Sequence, residues 1–132
     1  MNTKYLMISC AIFQGLMGIV LTFLPQEIAD YMGIAFNQLT ILLLQILGSF
    51  YLGFALLNWM SKENLIGGIY RKPLVVGNLV HFLVSSLTLI KILFSAETHF
   101  IFILVLSIPY VVFAFSFGYI MRTTPKEVHQ SK

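Results

Sequence analysis

The sequence predicts an all-α integral membrane protein, a bundle of four transmembrane helices with both termini in the cytoplasm. Of its 132 residues, 58% are apolar and only 10% are charged. The mean hydropathy of +0.89 lies far outside the range of water-soluble domains. The apolar residues also gather into four long runs, separated by short segments that hold most of the charges. We therefore expect one compact transmembrane domain over residues 1–132.

The four runs have the length that a membrane helix needs. About 20 apolar residues span a hydrocarbon core of about 30 Å. Four segments meet this requirement, at about residues 5–24, 39–60, 73–94 and 100–121. They lack the alternating polarity of a membrane β-barrel strand. The first run exceeds the apolar core of a signal peptide, and no A-x-A-like cleavage site follows it, which predicts a retained span.

The connecting segments carry their own signals. Leu24-Pro25 ends the first span, because proline disfavours helix continuation. Within residues 25–38 we expect a short interfacial helix with Ile28 and Met32 on one side, closed by Gly33. A Gly-Gly pair and four charges make residues 61–72 a loop. Residues 122–132 are expected to form a cytoplasmic tail.

Lys and Arg fall unevenly on the two sides of the predicted spans. One side holds seven of them and the other only Lys91. By the positive-inside rule, the side with seven is cytoplasmic, and both termini lie on that side. The seven are Lys4, Lys62, Arg71, Lys72, Arg122, Lys126 and Lys132.

Small residues predict where the helices meet. Lipid provides no hydrophobic drive for helix association, so close packing and hydrogen bonds must hold the helices together. The first span presents a small-residue stripe of Ala11, Gly15, Gly18 and Thr22. Similar signals are Gly48 with Ser49-x-x-x-Gly53 in the second span and Ala114-x-x-x-Gly118 in the fourth.

The third span carries polar residues at helical spacing. Asn78, His81, Ser85 and Thr88 would share one face, which should point away from lipid because an unpaired polar group there costs several kcal/mol. The other spans each offer one large polar group near mid-depth. We therefore predict a buried cluster of Gln14, Gln45, His81 and Tyr110, with Asn78 and Ser85 as neighbours.

Two interpretations of this cluster remain open. Its members could satisfy one another and fix the register of the helices. Alternatively, they could line a ligand-binding site for a small lipophilic or polar molecule, with His81 as the hydrogen-bonding or proton-exchanging group. An ionisable residue inside a membrane span typically marks a functional site, which supports the second interpretation.

The sequence argues against several other classes of function. The basic residues form no concentrated nucleic-acid-binding face. No Asp or Glu lies inside a span, and the three His are far apart in the predicted topology, so we expect no metal, no cofactor and no catalytic residues. Cys10 is the only cysteine, which excludes an intrachain disulfide.

Arg71 and Lys72 precede the third span at its cytoplasmic end. They could bind anionic lipid headgroups, although setting the topology is a sufficient reason for their presence.

Several stretches resemble a known group of proteins. These are the Leu-Pro segment ending in MGI, the second span LLLQILGSFYLGFALLNW, and the third span opening with KPLVVGN. They resemble the small four-helix inner-membrane proteins of bacteria of the DoxX-like type, over about residues 5–121. The resemblance implies a four-helix bundle in the bacterial inner membrane, in a group whose members mostly lack an established activity. Some DoxX-like proteins are linked to respiratory or oxidative-stress complexes.

The expected function is non-enzymatic. The chain would bind a lipophilic small molecule or act as an accessory subunit of a membrane complex, with membrane lipids and other membrane subunits as partners. The alternative is an oligomeric transporter or channel protomer, since four spans are few for a transport path in a single chain.

Overall fold

The computed structural model describes residues 3–34, 37–63, 71–95 and 98–123. They form five helices, which are α1 (Thr3–Phe23), α2 (Pro25–Tyr31), α3 (Gln38–Ser61), α4 (Arg71–Leu93) and α5 (Phe100–Thr123). All except α2 are long and apolar enough to cross a membrane. The four predicted spans correspond to these four helices to within two residues at each end. The predicted tail begins inside α5, and residues 124–132 lie outside the described part.

The short helix expected after the first span is also confirmed. Leu24, with φ −123° and ψ 40°, interrupts the helical backbone between α1 and α2, and Pro25 takes the first position of α2. Gly33 has a φ of +64°, a value that glycine adopts without strain, and it ends this segment as expected. The buried side of α2 consists of Pro25 and Ala29, whereas Met32 is exposed.

The chain divides into two compact units, with the boundary between Arg71 and Lys72. The first unit contains α1, α2 and α3, and nearly all of α4 belongs with α5 in the second. Each unit is described by itself.

In the first unit, α1 and α3 pack as an antiparallel pair through small residues. A Cβ atom on Gly18 would lie 2.7 Å from Leu52 Cγ, and one on Gly48 would collide with the Thr22 hydroxyl and lie 2.8 Å from the Thr22 nitrogen. Gly15 faces Ala55 at an ordinary contact distance. The small-residue stripe of α1 therefore forms the seam, as predicted.

The expected small-residue contact of α3 is only partly correct. Gly48 is buried against α1, but Ser49 and Gly53 are exposed, and no atom lies within 4 Å of a Cβ placed on Gly53. Neighbouring positions on a helix point in directions about 100° apart, so Gly48 and Ser49 cannot face the same partner.

In the second unit, α4 and α5 pack around aromatic rings. Phe82 is completely buried, and its ring lies 4.8 Å from that of Phe113 and 6.0 Å from that of Phe117, the latter nearly parallel. Gly118 faces Leu79. Pro109 lies inside α5. These contacts run in opposite directions along the two helices, so α4 and α5 form an antiparallel hairpin.

Candidate functional site

Three polar side chains meet between α1 and α3. Asn58 Nδ2 donates to Gln14 Oε1 at 2.7 Å and lies 3.4 Å from Cys10 Sγ. The Cys10 thiol in turn donates to Gln14 Oε1 at 3.5 Å. All three side chains are fully buried. We call this group the α1/α3 polar cluster.

One donor of this cluster has no acceptor within the described part of the chain. Gln14 Nε2 is buried and makes no hydrogen bond to the described residues. A buried amide left in this state costs about 1–3 kcal/mol. The net stabilisation from the α1/α3 polar cluster is therefore smaller than its two contacts to Gln14 Oε1 suggest.

Gln45, which we expected in a buried cluster with Gln14, is exposed. Its Nε2 lies 3.5 Å from the carbonyl oxygen of Thr22, in the last turn of α1. The expectation was wrong because it assumed that the midpoints of the two spans lie at the same depth. The pairing of Gly48 with Thr22 and of Ala55 with Gly15 places Gln14 level with about position 56 of α3, roughly 16 Å along the axis from Gln45.

The polar stripe of α4 lies at the edge of the packed face rather than at its centre. The buried positions of α4 are Val75, Asn78, Phe82 and Ser86. At about 100° per residue, His81 points roughly 100° away from Phe82, at the flank of this face. His81 and Ser85 are half-buried and Thr88 is exposed, so the expected burial holds fully only for Asn78.

His81 lies beside two aromatic rings of the second unit. The centroid of its ring is 4.9 Å from that of Phe82, in an edge-to-face arrangement, and 6.1 Å from that of Tyr110. Tyr110 is almost completely buried, with 3% of its surface exposed. The predicted proximity of His81 and Tyr110 is confirmed. His81 is half-buried as a residue, but its Nε2 atom is buried. An imidazole in this position, flanked by aromatic rings, can form a hydrogen bond with an apolar ligand that enters between the rings.

The hydroxyl and amide groups nearby bond within their own helices. Asn78 Nδ2 donates to the Leu74 carbonyl at 3.0 Å, and Ser86 donates to that of Leu83 at 2.9 Å. On α5, Ser107 donates to the Ile103 carbonyl at 2.6 Å.

Sequence reasoning missed Asn58 and Ser86. Asn58 stands beside Trp59, near the end of the second predicted span, and was not included in the predicted cluster. A helical signal was nevertheless present, since Gly48, Tyr51, Ala55 and Asn58 follow the spacing of one face.

The predicted cluster included residues from both units. Gln14 and Gln45 belong to the first unit, whereas the second contains Asn78, His81, Ser85 and Tyr110. A single cluster joining them stays a prediction.

The residues at the start of α4 were expected to meet lipid headgroups. Lys72 is exposed in the first turn of α4. Arg71 begins the helix, and its side chain lies outside the described part of the structure.

Metal-binding residues do not converge in the described regions. No group of three or more His, Cys, Asp or Glu side chains there is placed to hold a metal ion.

Comparison of the chain with protein-family models, with curated proteins and with solved structures found no match. The resemblance to DoxX-like proteins stays a prediction.

Proposed function

We propose that this protein is a non-enzymatic, multi-pass protein of the bacterial inner membrane that binds a lipophilic small molecule beside His81. Acting as an accessory subunit of a membrane complex is compatible with the same role. The observation that carries the proposal is the half-buried imidazole of His81 next to the buried ring of Tyr110. An ionisable side chain within a span is costly, and such residues typically mark functional sites.

The two polar groups of the molecule support different roles. The Gln14 and Asn58 side chains are fully buried and bond to each other, which favours a structural role for the α1/α3 polar cluster. His81 and Ser85, by contrast, are partly exposed on the same flank of α4. A ligand would contact this flank through its apolar body and accept or donate one hydrogen bond at His81, with Ser85 and Tyr110 as neighbours.

The test is native mass spectrometry of the protein released from membrane patches, comparing wild type with His81→Ala. We expect the variant to lose a co-purified small molecule by about tenfold, the effect of one hydrogen bond of about 1.4 kcal/mol. Thr88→Ala is the matched control, because Thr88 is an exposed polar residue of the same helix and bonds to the Val84 carbonyl. Equal retention in wild type and His81→Ala rejects the ligand site.

A structural role for His81 gives a different result. In that case His81→Ala lowers thermal stability in nanodiscs without changing the amount of co-purified small molecule.

The alternative function, a transporter or channel protomer, predicts an oligomer and substrate-dependent flux in liposomes. An inert monomer argues against it.

A further inference from the structure

Two cationic residues lie at the same end of the α4/α5 hairpin. Leu79 faces Gly118 across the two helices, which fixes their register. At 1.5 Å per residue, Lys72 lies about 10 Å beyond Leu79, and Arg122 lies about 6 Å beyond Gly118 in the same direction. Packed helices have axes about 8–10 Å apart. The flexible side chains of Lys72 and Arg122 can therefore converge on one group.

Within the described part of the second unit, no acidic residue balances this charge. Neither residues 72–95 nor residues 98–123 contain Asp or Glu, and both Lys72 and Arg122 are exposed. In the first unit the situation differs, because Lys4 Nζ lies 3.5 Å from Glu63 Oε1. Lys62 there lies over the ring of Trp59, 3.3 Å from its centroid. Lys72 and Arg122 thus form a cationic pair that calls for an anion from outside the described helices.

The depth of the pair favours a lipid as the source of this anion. Tyr119 lies one turn before Arg122 on the same face of α5 and is 58% exposed. Exposed tyrosines near the ends of membrane helices are typical of the headgroup level. Arg122 and Lys72 are accordingly expected where lipid phosphates lie.

We propose that Lys72 and Arg122 together bind the phosphate of an anionic phospholipid headgroup. The guanidinium of Arg122 can donate two parallel hydrogen bonds to phosphate oxygens, while the ammonium of Lys72 supplies a mobile point charge. This inference does not depend on a ligand at His81, which lies about two and a half turns from Lys72 on α4.

The experiment uses the full chain in nanodiscs that contain phosphatidylglycerol and phosphatidylcholine. The ratio of the two lipids retained by the protein is measured by native mass spectrometry. Because both leaflets have the same composition, the result does not depend on the orientation of the chain. Lys72→Gln and Arg122→Gln are each expected to lower the preference for phosphatidylglycerol about fivefold, and the double variant about 30-fold.

Two control variants remove one positive charge elsewhere. Lys91→Gln acts at the opposite end of α4, and Lys4→Gln acts on a lysine that already has Glu63 as its partner. Both should leave the lipid ratio within about twofold of wild type, a difference well below 1.4 kcal/mol. An unchanged ratio in the double variant overturns the proposal, as does an equal loss in Lys91→Gln.

If the double variant fails to fold, the salt dependence of lipid retention by the wild-type protein tests the proposal instead. Raising the NaCl concentration from about 0.1 to 1 M shortens the Debye length from about 10 to 3 Å. The preference for phosphatidylglycerol must then fall sharply, and a preference that persists in high salt contradicts the ionic contact.

Discussion

Asn58 of α3 donates a hydrogen bond of 2.7 Å to the side-chain oxygen of Gln14 on α1, and both side chains are fully buried. This is a direct polar contact between two helices that also meet through small residues. Interhelical hydrogen bonds in membrane proteins contribute about 0.6 kcal/mol on average and up to about 1.7 kcal/mol. The contact stabilises the pairing of α1 with α3 and sets its register.

Asn58→Ala should lower the free energy of unfolding by about 1–2 kcal/mol, because it removes this hydrogen bond and leaves Gln14 Oε1 with only the weak thiol contact. Reversible unfolding in bicelles measures the loss. Gln45→Ala is the control, since Gln45 is exposed, and its effect should stay within about 0.5 kcal/mol. An equal loss of unfolding free energy in both variants would show that the buried Asn58 amide contributes no more to stability than the exposed Gln45 amide.

Gly48→Ala should destabilise the first unit by about 1–3 kcal/mol, because the new methyl group would collide with the side chain and backbone of Thr22. Gly53→Ala provides a matched control on the same helix, where the methyl group meets no atom within 4 Å. Alanine favours a helix over glycine, so this control should be neutral or more stable by up to about 1 kcal/mol. A stable Gly48→Ala protein would contradict the close approach of α1 and α3.

Phe117→Ala should destabilise the second unit by about 1–3 kcal/mol, because it opens a cavity beside Phe82. The loss is expected to be smaller than in a water-soluble core, since lipid also solvates an aromatic ring well. Phe115→Ala serves as the comparison, because Phe115 is 77% exposed two residues away on α5. Thermal unfolding in nanodiscs should separate the two variants, and overlapping transitions would argue against the aromatic core.

The proposed orientation can be tested by labelling single cysteines in intact bacterial cells. A membrane-impermeant maleimide should label Asp30→Cys, on the side predicted to be external, but not Glu63→Cys until the cells are opened. The native Cys10 is fully buried and should remain unlabelled in wild type, so it need not be removed. The opposite pattern would place both termini outside.

The limits of the four long apolar helices could be predicted from the sequence because hydropathy and length depend on local composition alone. The direction of each helix face was harder to predict. On α4 the polar residues indicated a face centred near Ser85, whereas the buried face centres on Phe82. Apolar residues surround a membrane helix on all sides, so the contrast that reveals the buried face of a soluble helix is missing.

The positions of the helices along their common axis also could not be predicted from the sequence. Gln14 was expected beside Gln45, but its partner is Asn58, about 13 residues further along α3. This register depends on the tight fit of Gly18 against Leu52 and of Gly48 against Thr22, and such a fit is a property of two surfaces together.

The axial offset between α1 and α3 affects how this unit fits a lipid bilayer. If the pairing of Gly48 with Thr22 is extended along both helices, Thr3 projects about six positions beyond Ser61, the last residue of α3, and Gln38 lies at the other end. The pair then spans about 29 residues, or roughly 44 Å, which is longer than a hydrocarbon core of about 30 Å. Hydrophobic mismatch of this kind is relieved by tilt. If α1 and α3 cross a bilayer as proposed, two glycines at the seam thereby influence the angle at which they do so.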